Sequence, residues 1–195
     1  MSHTQEGHQY LEMEQYDFME KIENKISELG GLELTKSFTV KKDNNFSVIE
    51  YLAVEKLNLP DEIINFSKKY GFNQFNNDIV FKSLNPIPSA YENGTCPIGI
   101  FYGWGKGDES LMEIRKTYLE QIQPEYFVFA EGNPGDQLLI NIKNNKVYYW
   151  AHEQSVNNCL FLVADSFEKF IDSLTVIENE NVDDDLEEES FADDF

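Results

Sequence analysis

The stretch FVFAEGNPGDQLLINIKNNKVYYWAHE, residues 127–153, decides which fold this chain can adopt. Three runs in and beside it, YFVFA (126–130), QLLINIK (137–143) and KVYYWAH (146–152), are short and rich in β-branched and aromatic residues, the composition of strands. Lys143-Asn144-Asn145-Lys146 joins the last two, and asparagine tolerates the left-handed backbone of a two-residue turn, so a hairpin is predicted here. In its first arm Leu138, Ile140 and Ile142 share one face, and in its second Val147 and Tyr149 do.

Beyond the hairpin, IVFKS (79–83), IGIFYG (98–103) and LFLVA (160–164) have the same composition and bring the expected strands to six. The flanks change period. Phe18, Met19, Ile22, Ile26 and Leu29 recur at helical spacing between Tyr10 and Leu29, until Gly30-Gly31 stops the pattern. Asn44 or Asn45 can cap a second helix with Ile49, Leu52, Ala53 and Leu57 inward, and Pro60 suits the first turn of a third running to about Tyr70. Asp108 opens an inserted helix with Leu111, Ile114, Tyr118 and Ile122 on one stripe. A closing helix begins at DSFE, where Asp165 and Glu168 have capping-box spacing, and buries Phe167, Phe170, Ile171 and Leu174.

The predicted class is α+β: a single domain with a largely antiparallel sheet of about six strands, N-terminal helices, one inserted helix and one C-terminal helix. Residues 1–9 read as a disordered start, 10–177 as the domain and 178–195 as an acidic disordered tail.

The chain of 195 residues carries a formal charge of −21. Its last eighteen residues, ENENVDDDLEEESFADDF, hold ten acids and no base; removing them leaves 26 acids against 15 bases, still a net −11. Phosphate contacts need clustered Lys and Arg, and Arg115 is the only arginine, so nucleic acid is disfavoured as a partner and a basic protein is favoured. Cys96 and Cys159 have no CxxC spacing and read as reduced core residues. No basic-then-apolar leader and no apolar run of eighteen residues is present, so the expected location is the cytoplasm, with no membrane association.

The one motif suggesting a small-molecule site is IGIFYGWGKGDES (98–110), where Gly103, Gly105 and Gly107 separate a strand from a helix. A Walker loop needs Lys then Ser or Thr after its last glycine, whereas Lys106 precedes Gly107 and Asp108 follows it. A dinucleotide site needs GxGxxG, and GWGKG is GxGxG. Asp108 and Glu109 at the helix start would also fill the end of the dipole that a phosphate requires. Neither catalysis nor metal binding finds a residue set. His3 and His8 lie in the presumed disordered start, and His152 sits beside Glu153 on a strand, where neighbours point to opposite faces. No catalytic residues, cofactor or metal are predicted.

The aromatics point elsewhere. Tyr148, Tyr149 and Trp150 are consecutive, so on a strand at least one ring leaves the core, and Phe101, Tyr102 and Trp104 form a second group. Exposed rings beside acids suit a protein interface, because aromatic anchors dominate interface energy; packing of the sheet under helices on both faces is the competing reading. The predicted partner-binding set is Trp104, Asp108, Glu109, Tyr149, Trp150, His152 and Glu153.

The order of signals resembles the SUKH superfamily of bacterial immunity proteins and fungal cell-wall assembly regulators. LNLPDEIINFSKKYG (57–71) is similar to its entry segment, IFYGWG with the helix ending near YLEQI and then residues 127–153 to its core, and ADSFEKFIDSL (164–174) to its final helix. The resemblance spans about residues 57–175. It implies a non-enzymatic α+β domain that binds and neutralises a cognate polymorphic toxin in the producing cell, often a nuclease with a basic face. A regulatory scaffold with disordered ends, like the fungal members, is the alternative implied.

Overall fold

The computed structural model describes residues 3–36, 41–42 and 46–177. The N-terminal part contains α1 (His3–Glu28), β1 (Leu32–Leu34), β2 (Lys41–Lys42), α2 (Val48–Val54) and α3 (Asp61–Tyr70). The short strands β3 (Asn73–Phe75), β4 (Ile79–Lys82), β5 (Thr95–Pro97) and β6 (Gly105–Lys106) follow, then α4 (Leu111–Thr117). The C-terminal part holds β7 (Tyr126–Glu131), β8 (Gln137–Asn141), β9 (Val147–Trp150), β10 (Leu160–Ala164), α5 (Phe167–Asp172) and β11 (Thr175–Val176). The class is α+β, and every strand pair is antiparallel.

The central sheet has the order β10-β9-β8-β7, built on the predicted hairpin with Leu138 opposite Tyr149 and Ile140 opposite Val147. All five residues of β8 are buried. A strand buried on both faces loses the apolar-polar alternation, which is why Leu138, Leu139 and Ile140 run consecutively between the buried polar residues Gln137 and Asn141. On one face Phe129 meets Phe167 and Phe170 of α5, and Phe81 bridges Phe170 and Tyr149. On the other, Trp150 meets Tyr118 edge to face. With both faces covered, no ring is left over: Tyr149 and Trp150 are buried, and Tyr148 is half-buried against Tyr126. The exposed-anchor expectation for Tyr149 and Trp150 is corrected accordingly.

IGIFYG, expected as a full strand, forms one antiparallel bridge, Phe101 to Ala130. Its backbone nevertheless joins two sheets. Gly99 and Tyr102 donate to Glu131 and Phe129 of β7, while Phe101 donates to Asn73 and accepts from Phe72 on the other side. The opposite edge is closed too, because Leu84 and Asn85 donate to Val163 and Leu162 of β10. Both edges of the central sheet are thus protected from pairing with another chain. The remaining strands are shorter, in sheets β1-β3, β11-β4-β5 and β2-β6, rather than in one six-stranded sheet.

Several boundaries move, most of all the start of α1, which lies about two turns before the expected Tyr10 and within the stretch expected as a disordered start. α1 reaches back to His3, and it buries Ile22 and Ile26 as expected, with Leu29 just past its end. The cap of α2 is Ser47, whose side chain accepts from Glu50 N; Asn44 and Asn45 lie outside the described residues, as does the tail 178–195. Starting at Val48, the helix turns Val48 and Leu52 inward and leaves Ile49 75% exposed, and Ala53 is exposed as well. Ser166, not Asp165, caps α5, and Asp165 instead pairs with Lys146 at 2.8 Å. The hairpin loop is longer than two residues: Asn145 N donates to Asn141 O, and Asn145 takes the left-handed backbone with φ 58°.

Candidate functional site

The glycines of GWGKG serve packing and backbone geometry. A Cβ on Gly103 would sit 2.5 Å from the Phe72 ring and 2.9 Å from the Gly71 carbonyl carbon, so the two chain segments meet only because neither Gly103 nor Gly71 has a side chain. Gly107 has φ 119°, a backbone that L side chains rarely adopt. Trp104, between them, is 6% exposed: its indole N–H donates to Ser67 Oγ at 2.7 Å, and its ring stacks on Phe46 and Phe127. It is a core residue, and its assignment as an exposed anchor is corrected.

Asp108 and Glu109 do not cap α4. Ser110 does, its Oγ accepting from Glu113 N, and its burial leaves the two carboxylates before it to face a cleft. That cleft, of about 760 Å³, lies where the 97–100 segment crosses between β3, β4 and β7. Ile98 and Ile100 line its apolar part, and Asp78, Asp108, Glu109 and Glu131 its charged part. The described residues lining it include no Lys, Arg or His. Gly99 makes room for Glu131: a Cβ there would lie 3.0 Å from Glu131 Oε2. Burial, and secondarily the charge of Glu109, hold the Glu131 carboxyl above the ordinary carboxylate value. A fixed polar wall completes the cleft. Tyr102 OH donates to Gln137 Oε1 at 2.9 Å, and Gln137 Nε2 donates to Tyr118 OH at 3.1 Å. Burial first, then Glu131, pushes both tyrosine hydroxyls up, so both stay protonated.

At the other end of the 131–137 turn is a smaller recess of about 230 Å³, which includes Ser89, Asn133, Asp136, His152 and Glu153. Asp136 is 4% exposed and fully engaged. Its Oδ2 receives Tyr149 OH at 2.6 Å and Ser89 OH at 3.1 Å; its Oδ1 receives His152 N at 2.9 Å and meets His152 Nδ1 at 2.7 Å. Nδ1–H donation to that carboxylate would leave Nε2 facing outward, 3.9 Å from Glu153 Oε1. Ser89 bonds the carboxylate rather than the imidazole, so Ser89, His152 and Asp136 do not form a nucleophile-base pair. His152 follows β9 rather than ending it, and lies on Gly135, where a Cβ would come 2.9 Å from the ring.

The predicted site residues therefore separate. Asp108 and Glu109 share the cleft, His152 and Glu153 share the recess, and Trp104, Tyr149 and Trp150 lie in the core between elements. Sequence reasoning missed Glu131 and Asp136. The available signal was the pair of carboxylates flanking GNPG at a strand-turn-strand boundary, and their partners come from residues far along the chain. Both cysteines are buried and free, and burial pushes the Cys96 thiol up to about 11. Among the described residues no group of three or more His, Cys, Asp and Glu is placed to hold a metal ion, and no helix is long and apolar enough to cross a membrane.

Residues 49–173 match the model of the SMI1 / KNR4 family (SUKH-1), a span that contains the charged residues of both cavities. A Bacillus subtilis (strain 168) protein, the SPbeta prophage-derived uncharacterized protein YokK, is 29% identical over 127 residues, covering 60% of this chain. The chain spans 66% of that relative's length. No solved structure matches the chain.

Proposed function

The chain belongs to the SMI1/KNR4 family (SUKH-1), which includes toxin immunity proteins, and from that premise we propose that it binds and neutralises a cognate toxin in the cytoplasm. The toxin is a nuclease with a basic face, and the chain acts as a non-enzymatic inhibitor that occupies that face. The observation that carries this reading is the cleft, where four carboxylates converge with no basic residue among the described lining, in a chain whose residues 1–177 carry a net −11. Such a surface steers a cationic partner into encounter and competes with its nucleic-acid substrate. Asp108, Glu109, His152 and Glu153 make the contacts, and Trp104, Tyr149 and Trp150 hold their supports in place.

The test is co-expression with the product of the neighbouring gene, followed by pull-down and growth rescue. A neighbour that is toxic, bound and neutralised supports the reading; one that is harmless, or toxic and unbound, refutes it. A scaffold role is favoured by one feature, the ten acids of residues 178–195, and deleting that tail separates the two. A scaffold loses partners on deletion, whereas neutralisation through the folded domain survives.

A further inference from the structure

We propose that Asn93 is a deamidation site that the fold keeps closed and unfolding opens, which makes the 91–95 turn a one-way mark on chains that have unfolded. The inference is independent of the toxin-binding reading. The chain has one Asn-Gly pair, Asn93-Gly94, and both residues are exposed. In such a pair the glycine nitrogen attacks the asparagine Cγ: the N–Cγ bond forms, the Cγ–Nδ2 bond breaks, and ammonia leaves with the proton from the nitrogen. Water then opens the succinimide at either carbonyl, giving aspartate or isoaspartate. Glycine puts no side chain in the way of the attack, and a Cβ on Gly94 would have nothing within 4 Å, so crowding does not protect the site.

Hydrogen bonds do. Gly94 N–H donates to Tyr91 O at 2.8 Å, which keeps the proton on the attacking nitrogen. Asn93 Oδ1 accepts from Thr95 N at 3.0 Å and from Thr95 Oγ1 at 2.6 Å, so its amide is fixed to the residue two places on. Thr95 is itself held, being 5% exposed and opposite Lys82 of β4. Two donors on Oδ1 also polarise Cγ, as an oxyanion hole does, and that effect favours attack. It acts only once the nucleophile is free and in reach, a geometry that the Gly94 and Thr95 bonds withhold, so protection outweighs activation. The two products then differ in what they restore. Aspartate keeps a side-chain oxygen for both Thr95 donors. Isoaspartate carries the main chain through Cγ and lengthens it, so the Gly94-to-Tyr91 bond and the entry into β5 lose their register.

The experiment incubates the full chain at neutral pH in buffer and in unfolding urea, beside an end-blocked peptide of residues 89–97 in both solvents. Peptide mapping by mass spectrometry quantifies both products at position 93. In buffer the chain should react at least about tenfold more slowly than the peptide, because only turn openings populated about a tenth of the time or less expose the site. In urea the two should react alike. Thr95→Val removes the hydroxyl donor and keeps the side-chain shape; it should raise the rate in buffer about twofold to tenfold and leave the rate in urea unchanged. After transfer from urea to buffer, chains with aspartate should recover the native amide spectrum and chains with isoaspartate should not. A chain that reacts in buffer as fast as the peptide, or faster, overturns the inference without recourse to any variant. An unchanged rate in a natively folded Thr95→Val chain overturns the role given to the Oδ1 bonds, and native refolding of isoaspartate chains overturns the one-way mark.

Discussion

Replacing Tyr149 by Phe removes one oxygen from a buried network and leaves the ring in place, so its cost isolates the hydrogen bonds. The hydroxyl donates to Asp136 Oδ2 at 2.6 Å and accepts from Asn133 N at 3.2 Å. Asp136 is buried, so water does not replace a lost donor easily, and a hydrogen bond to a charged group contributes about 1.5–3 kcal/mol. Ser89 still donates to the same oxygen, and Asn133 N is only partly buried, which keeps the expected loss near the middle of that range, about 2 kcal/mol. For a chain of this length each kcal/mol moves the melting temperature by about 2–4 °C, so Tyr149→Phe should melt about 4–8 °C lower. Urea unfolding checks the free energy at constant slope.

Tyr148→Phe is the matched comparison. Tyr148 is the preceding residue on the same strand, is half-buried, and its hydroxyl makes no hydrogen bond among the described residues. Its loss should stay within about 0.5 kcal/mol. Ser89→Ala combined with Tyr149→Phe should cost more than the two single changes together, because the last side-chain donor to Oδ2 is then gone. Equal midpoints for Tyr149→Phe and Tyr148→Phe would refute the assignment of Asp136 as the organising carboxylate of the 132–136 turn.

Trp104→Ala should destabilise the domain by about 3–5 kcal/mol, because it empties a buried indole site and strips Ser67 of its donor; a midpoint unchanged in urea would return Trp104 to the surface. Gly103→Ala forces a methyl against Phe72 and Gly71 and should cost about 1–3 kcal/mol by overpacking, read as a lower denaturation midpoint. Glu131 keeps its proton in the folded chain after the unfolded chain has lost it, so wild-type stability falls as pH rises from about 4.5 through the raised folded value. Glu131→Gln has no such proton to lose, and its melting temperature should gain on wild type across that window; a constant gap would sink the assignment.

The strands were legible where one residue type recurred without relief. YFVFA, QLLIN, VYYW and LFLVA became β7 to β10, and the helical face of Phe167, Phe170, Ile171 and Leu174 closed over them. Local chemistry set the exceptions. Ser47, Ser110 and Ser166 took the helix caps from Asn44 or Asn45, Asp108 and Asp165, in each case nearer to the first helical residue than the expected cap. Tertiary partners set the rest: Asp136 collects donors from Ser89, Tyr149 and His152, and no window of sequence contains all three. The cleft is equally dispersed, drawing carboxylates from positions 78, 108, 109 and 131.

The shift of one cap by two residues has the largest functional consequence. If Asp108 capped α4, its carboxylate would be spent on backbone N–H groups and the helix end would be electrically satisfied. With Ser110 in that position, a neutral hydroxyl makes the cap, and both carboxylates before it are turned toward the cleft. The glycines on alternate positions then have a joint role. Gly103 lets the strand-like segment pass against Gly71 and Phe72, and Gly107 lets the chain reverse so that Asp108 and Glu109 come to stand beside Glu131. A sequence that looks built to cradle a phosphate instead gathers negative charge around a cavity. Where a phosphate cradle presents exposed N–H groups, this loop presents carboxylates, and under the proposed function the partner drawn to it would carry the opposite sign.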